Sequence, residues 1–236
     1  MSLFPATRHS LLEELRGGDP QRRRAAQEAL ARAYLGPVRA YLAIRWRRPA
    51  DEVEELGQEF FRSVAERGLL EAYRPDRARL RTYLRLCVDA LVKNHQLAAR
   101  REKRGGGSAL LSLEEAGEQA ETAAVGESPE ALFEREWARS LFTLGIAALR
   151  DRCLGTPREV AFRLFERYDL EDGDSARPTY ATLAAEHGLP ETQVTNHLAW
   201  ARREFRAAVL RRLREITASD EEFRSEARSL LGVDPR

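Results

Sequence analysis

Apolar residues recur at three- and four-residue spacings along most of the chain, and no strand-like alternation or internal repeat interrupts them. The pattern predicts an all-α protein. From Asp51 to Arg67, Val53, Leu56, Phe60 and Val64 share one face, and Glu54, Glu55, Gln58, Glu59 and Arg62 occupy the other. From Leu80 to Arg104, Leu80, Leu84, Cys87, Leu91 and Ala98 line one side of a helix. Helical spacing resumes at Pro129 with Leu132, Phe133, Trp137, Leu141 and Leu144.

Punctuation residues divide these runs. Ser10 with Glu13 is a capping box, Gly17-Gly18 a break, and Asp19-Pro20 a helix start expected to run to Tyr34. Gly36-Pro37 starts a further helix through Trp46, which Pro49 ends. Tyr73 to Asp76 reads as a turn, and Gly105-Gly106-Gly107-Ser108 as a helix stop. The expected organisation is a helical module over 1–104, a linker over 105–128, a second helical module over 129–215 and an accessory helix over 216–236. Ser219 and Glu222 cap that last helix, and Phe223, Ala227, Leu230 and Leu231 form its apolar face. Such a short helix must dock. The second module is its expected seat, the alternative being a displaceable cover on a functional surface.

Composition narrows the class. The chain is 43% hydrophobic and 33% charged, with a net charge of only +1, so the placement of charge matters more than its sum. Ten basic residues (74, 77, 79, 81, 85, 93, 100, 101, 103, 104) face only Asp76, Asp89 and Glu102 between Arg74 and Arg104. Residues 105–130 hold no Lys or Arg and six Glu (114, 115, 118, 121, 127, 130), the composition of an acidic tether able to screen the basic helix before it. Cys87 and Cys153 sit among apolar neighbours and read as buried free thiols. The opening residues lack an apolar leader, and no apolar run approaches the ~18 residues of a membrane span. A cytoplasmic protein without membrane association is expected.

Enzyme chemistry finds no foothold. His9, His95, His187 and His197 show no metal-ligand spacing, and Gly173 falls one position early for a calcium loop around Asp169, Glu171, Asp172 and Asp174. No phosphate loop or nucleophile elbow is present. No catalytic residue, metal or cofactor is expected.

The sharpest local signal is Tyr180 to Leu198, YATLAAEHGLPETQVTNHL. Ala184 is small enough for two helices to approach, Gly188 can supply a positive-φ turn, and Pro190 can open the second helix. Val194 and Leu198 would then pack on Leu183. Thr192, Gln193, Thr195 and Asn196 would face outward, with Arg202 and Arg203 set to hold phosphate, as in a helix-turn-helix reading a major groove. The basic helix offers a second surface, where Tyr83 could stack a base of single-stranded DNA.

In order and spacing these segments resemble a bacterial RNA polymerase sigma factor of the extracytoplasmic-function type, over about residues 4–215. ADEVEELGQEFFRSVAERG resembles that family's polymerase-clamp helix. ARLRTYLRLCVDALVKNHQLAARREKRGGG resembles its promoter-melting segment, and Tyr180 to Arg206 its upstream-element reader. The opening FPATRHSLL also resembles the start of a large subgroup. The resemblance implies a core-polymerase surface of Asp51, Glu54, Glu55, Leu56, Gln58 and Glu59. It implies a promoter-opening surface of Arg81, Tyr83, Lys93, Asn94, Arg100 and Arg101, and a recognition helix with Thr192, Gln193, Thr195, Asn196, His197 and Arg202. Core RNA polymerase and promoter DNA would be the partners, with an anti-sigma protein or a regulatory kinase as further candidates. The chain departs from the family pattern in having Tyr83 for Trp, Pro190 for a Ser/Thr cap, and an insertion over Glu171 to Pro178. A stand-alone helix-turn-helix regulator is the rival reading. A nuclease or recombinase would need a carboxylate cluster or nucleophile that the sequence does not offer.

Overall fold

The computed structural model describes residues 11–16, 19–66, 68–102, 127–171 and 177–235, which are mostly helical and contain no strand. Ser10, Gly105–Ser108, the expected linker up to residue 126, and the centre of the expected insertion (172–176) lie outside the described residues. The chain forms two compact units: residues 1–140 with 214–236, and residues 141–213.

The first unit is built on α1 (Leu11–Arg16), α2 (Pro20–Ile44), α3 (Ala50–Glu66), a 3-10 turn (Leu69–Glu71) and α4 (Leu80–Glu102). The first half of α5 (Pro129–Cys153) and α9 (Asp220–Leu231) complete it. Asp19 caps α2 by accepting from the Gln21 amide at 2.9 Å, with Pro20 following as the first helical residue. The expected restart at Gly36-Pro37 does not occur, and α2 runs through it as one 25-residue helix. Pro37 has no amide to give to the preceding turn, at a cost of about 3 kcal/mol. Burial of Tyr34, Pro37, Val38, Tyr41 and Leu42 on the continuous helix outweighs that loss. Arg47, at φ 48, turns the chain toward α3.

The core of this unit is aromatic. The Tyr34 ring lies 6.4 Å from both Phe133 and Trp137, and Tyr41 meets Phe133 edge-on at 5.5 Å. Asp89, fully buried, accepts from the Tyr41 hydroxyl at 3.0 Å, the Trp46 indole at 2.9 Å and Arg85 at 2.9 Å. Burial nonetheless raises its pKa above the ordinary carboxylate value.

The second unit contains the rest of α5, α6 (Glu159–Phe165) continuing as a π-turn to Leu170, α7 (Tyr180–His187) and α8 (Glu191–Glu215) up to Leu213. Its core joins Leu149, Cys153, Phe162 and Phe165 to Leu183, Val194, Leu198 and Ala201. Gly145 brings α5 close to α8: a Cβ there would meet Val209 Cγ2 at 2.5 Å. Both cysteines are buried free thiols. Among the described residues no helix is long and apolar enough to cross a membrane, and no His/Cys/Asp/Glu group could hold a metal.

Candidate nucleic-acid interface

In the second unit the local chemistry of the α7–α8 turn acts as its residues suggest. Thr179 caps α7 by accepting from the Thr182 amide at 3.1 Å. Gly188 stops α7 at φ 62, and the Leu189 amide reaches back to the Ala184 carbonyl at 2.9 Å, the Schellman arrangement. Pro190 stands one residue before α8, accepting through its carbonyl from Gln193 at 2.9 Å and Val194 at 3.2 Å. Leu183, Val194 and Leu198 are fully buried, and Ala184 lies at the helix crossing. Thr192, Gln193, Thr195 and Asn196 are consequently exposed on the opposite face, with Arg203 exposed further along.

Two residues of that helix are engaged differently. Arg202 is half-buried and grips Asp169 with two hydrogen bonds, Nε to Oδ2 at 2.8 Å and Nη2 to Oδ1 at 3.0 Å. These bonds raise its pKa further, and its guanidinium lies 5.3 Å from the Tyr168 ring. Asp169 thus belongs to a tie between the π-turn and α8, shared by Arg177 at 2.7 Å. His197 is half-buried with Nδ1 enclosed and unpartnered. Burial first, and then the positive charge of Arg158, depress its pKa. Arg158, exposed before α6, spreads over the Trp200 ring at 4.7 Å. Nothing in the local sequence singles Arg158 out, because its partners lie on α8.

In the first unit α3 presents Asp51, Glu54, Glu55 and Gln58 to solvent, with Glu59 half-buried. Glu54 accepts from Gln58 at 3.0 Å and pairs with Arg39 of α2, and the Gln58 bond and that cation lower its pKa. Glu59 meets His95 Nε2 at 2.5 Å. Leu56, expected on this surface, is instead 4% exposed. It shares the buried side with Val53 and Phe60, because one helix turn cannot present it and the carboxylates together.

The basic face of α4 departs further from expectation. Arg81, Tyr83, Arg85 and Lys93 are buried, and Asn94 is half-buried. Ala98, expected on the apolar side, is exposed. Arg81 pairs with Glu134 at 2.5 Å and with Glu226, and Arg85 with Glu130 at 2.5 Å as well as Asp89. The Tyr83 hydroxyl donates to the Leu69 carbonyl at 2.6 Å, so its ring is not presented for stacking. Burial lowers the pKa of Lys93. For Arg81 and Arg85 the cause is neutralisation at long range, since Glu130 and Glu134 of α5 and Glu226 of α9 add to Asp89, the carboxylate that α4 itself supplies to Arg85. Arg100 and Arg101 lie within α4, their side chains outside what the structure describes. No protein-family model, curated protein or solved structure matches the chain.

The accessory helix is a correction in the same sense. Ser219 caps α9 by accepting from the Glu222 amide at 3.1 Å, as its sequence predicts. Its seat is the first unit, against the start of α4, rather than the helix-turn-helix module. Complementary charge decides this, because Glu222 and Glu226 find donors at Leu80, Arg79 and Arg81.

Proposed function

We propose that the chain is a cytoplasmic sigma factor of the extracytoplasmic-function type, which binds core RNA polymerase and directs it to promoter DNA. The observation that carries this reading is the α7–α8 turn. There a positive-φ glycine and a buried Leu183–Val194–Leu198 seam hold Thr192, Gln193, Thr195 and Asn196 outward on one helix. Gln193 and Asn196 can each offer a donor and an acceptor to one base edge. The exposed carboxylates of α3 supply the polymerase-docking face. The work of the chain is binding and strand separation, and the covalent chemistry belongs to the polymerase.

A stand-alone helix-turn-helix regulator is favoured by one feature, the burial of Arg81, Tyr83, Arg85 and Lys93, which withdraws them from DNA while the polar face of α8 stays exposed. Capture of core RNA polymerase by the full chain separates the two. Stable capture, weakened about tenfold or more by Glu54→Lys, Glu55→Lys and Glu59→Lys together, supports the sigma reading. Absence of capture, with specific binding to a palindromic duplex, supports the regulator.

A further inference from the structure

The N-terminus of α4 is closed by carboxylates that arrive from far along the chain. Glu222 Oε1 accepts the Leu80 amide, the first of α4, at 2.6 Å, while its Oε2 takes the Ala218 amide at 2.7 Å. One turn later Glu226, 2% exposed, pairs with Arg81 and lies 3.6 Å from Arg79. Ser225 Oγ accepts from Arg79 at 3.0 Å. A free helix amide and two guanidinium groups are the donors that a phosphodiester backbone takes.

The grip of α9 is largely electrostatic. Its twelve residues bury only Phe223 and Ala227 among their apolar side chains, with Leu230 and Leu231 half-covered. A helix of this length is marginal without docking. Buried ion pairs add little net stability, because both charges surrender water to meet. An anion that engages the same donors can therefore replace the ion pairs of the strap, leaving the exposure of Phe223 and Ala227 as the main cost of its departure.

We propose that α9 is a displaceable acidic strap whose Glu222 and Glu226 stand in for two nucleic-acid phosphates at Arg79, Arg81 and the α4 N-terminus. Single-stranded DNA binds this site only when the strap leaves. The inference rests on the sigma reading, whose family resemblance implies a promoter-opening role for α4, and it adds an internal competitor for that role.

The test uses a fluorescent oligothymidylate of about twenty nucleotides, titrated across salt against three proteins. These are the full chain, the full chain with Glu222→Gln and Glu226→Gln, and the chain ended at Thr217. The shortened chain should bind about tenfold more tightly at low salt. Its log–log salt slope should steepen by about 1.4, the counterion release of two single-strand phosphates. The doubly neutralised chain should fall between. Unchanged affinity and slope in a folded shortened chain overturn the proposal. So does loss of its helical circular dichroism, because a displaceable strap must leave a folded unit behind. Polymerase capture by the full chain, run in parallel, keeps the two ideas apart. Tighter DNA binding without capture removes the sigma reading and retains the strap. Capture with unchanged DNA binding does the opposite.

Discussion

Arg202 and Arg203 are neighbours in sequence with opposite expected roles, and their alanine variants separate the two. Arg202 makes two hydrogen bonds to Asp169 at 2.8 and 3.0 Å. Hydrogen bonds to a charged group contribute about 1.5–3 kcal/mol when shielded. The Arg202 side chain is 39% exposed, so solvent screening takes a share. Asp169 also retains Arg177 at 2.7 Å, so it is not left unpaired. The expected cost of Arg202→Ala is about 1–2 kcal/mol of stability, or about 3–6 °C in Tm for a chain of this size. A cycle with Asp169→Asn should assign most of that loss to the pair. Arg203→Ala should leave Tm within about 1 °C, since exposed substitutions usually change little. It should instead weaken binding to every duplex alike and flatten the salt slope by about one phosphate. Thermal melts and anisotropy titrations on both variants decide the matter. An Arg202→Ala protein with unchanged Tm and a flattened salt slope would refute the assignment of Arg202 to the fold.

Three further outcomes are expected. Gly145→Ala should destabilise the second unit by about 1–3 kcal/mol in urea melts despite its better helix propensity, because Val209 is fully buried and cannot retreat from the added Cβ; equal or raised stability would show that the two helices separate freely. His197 has a depressed folded pKa, so its contribution to stability is present above the unfolded imidazole value of about 6.5 and lost as pH falls through the lower folded value. The acid-side decline in Tm should therefore be shallower in His197→Gln, and parallel profiles would contradict the burial argument. Asp89→Ala leaves the Tyr41 hydroxyl and the Trp46 indole without their acceptor while Arg85 keeps Glu130, and by chemical denaturation should cost about 1–3 kcal/mol for each donor left unsatisfied; a total loss below about 1 kcal/mol would mean that these donors find other acceptors.

What the sequence discloses follows from the range of the forces involved. The α7–α8 turn is legible at Ala184, Gly188 and Pro190, because these residues act within a turn of themselves, whereas the Thr179 cap lies one residue before the motif as read. The buried face of α3, the cap at Asp19, and Phe223 and Ala227 of α9 are legible for the same reason, whereas the buried Glu226 is not. Pro37 misleads because its local penalty is offset by packing against residues distant in sequence. The basic face of α4 misleads more. Its lopsided charge is real along 74–104, but Glu130, Glu134, Glu222 and Glu226 answer it, the nearest of them 45 residues beyond Arg85. The direction in which Arg202 turns depends likewise on Asp169, 33 residues earlier. No helical periodicity carries that information.

The first unit is discontinuous, interrupted by the whole of the second. A ribosome adding about 5–20 residues each second needs about 7–28 s to pass from Leu80 to Glu222, 142 positions away. Throughout that interval the nascent α4 carries Arg79 and Arg81 without their α9 partners. The second unit, made of contiguous chain, is complete before they arrive. Folding during synthesis therefore has a fixed order, in which the module that emerges first is finished last. A chain ended between α8 and α9 keeps the other helices of both units and lacks the α9 closure of α4.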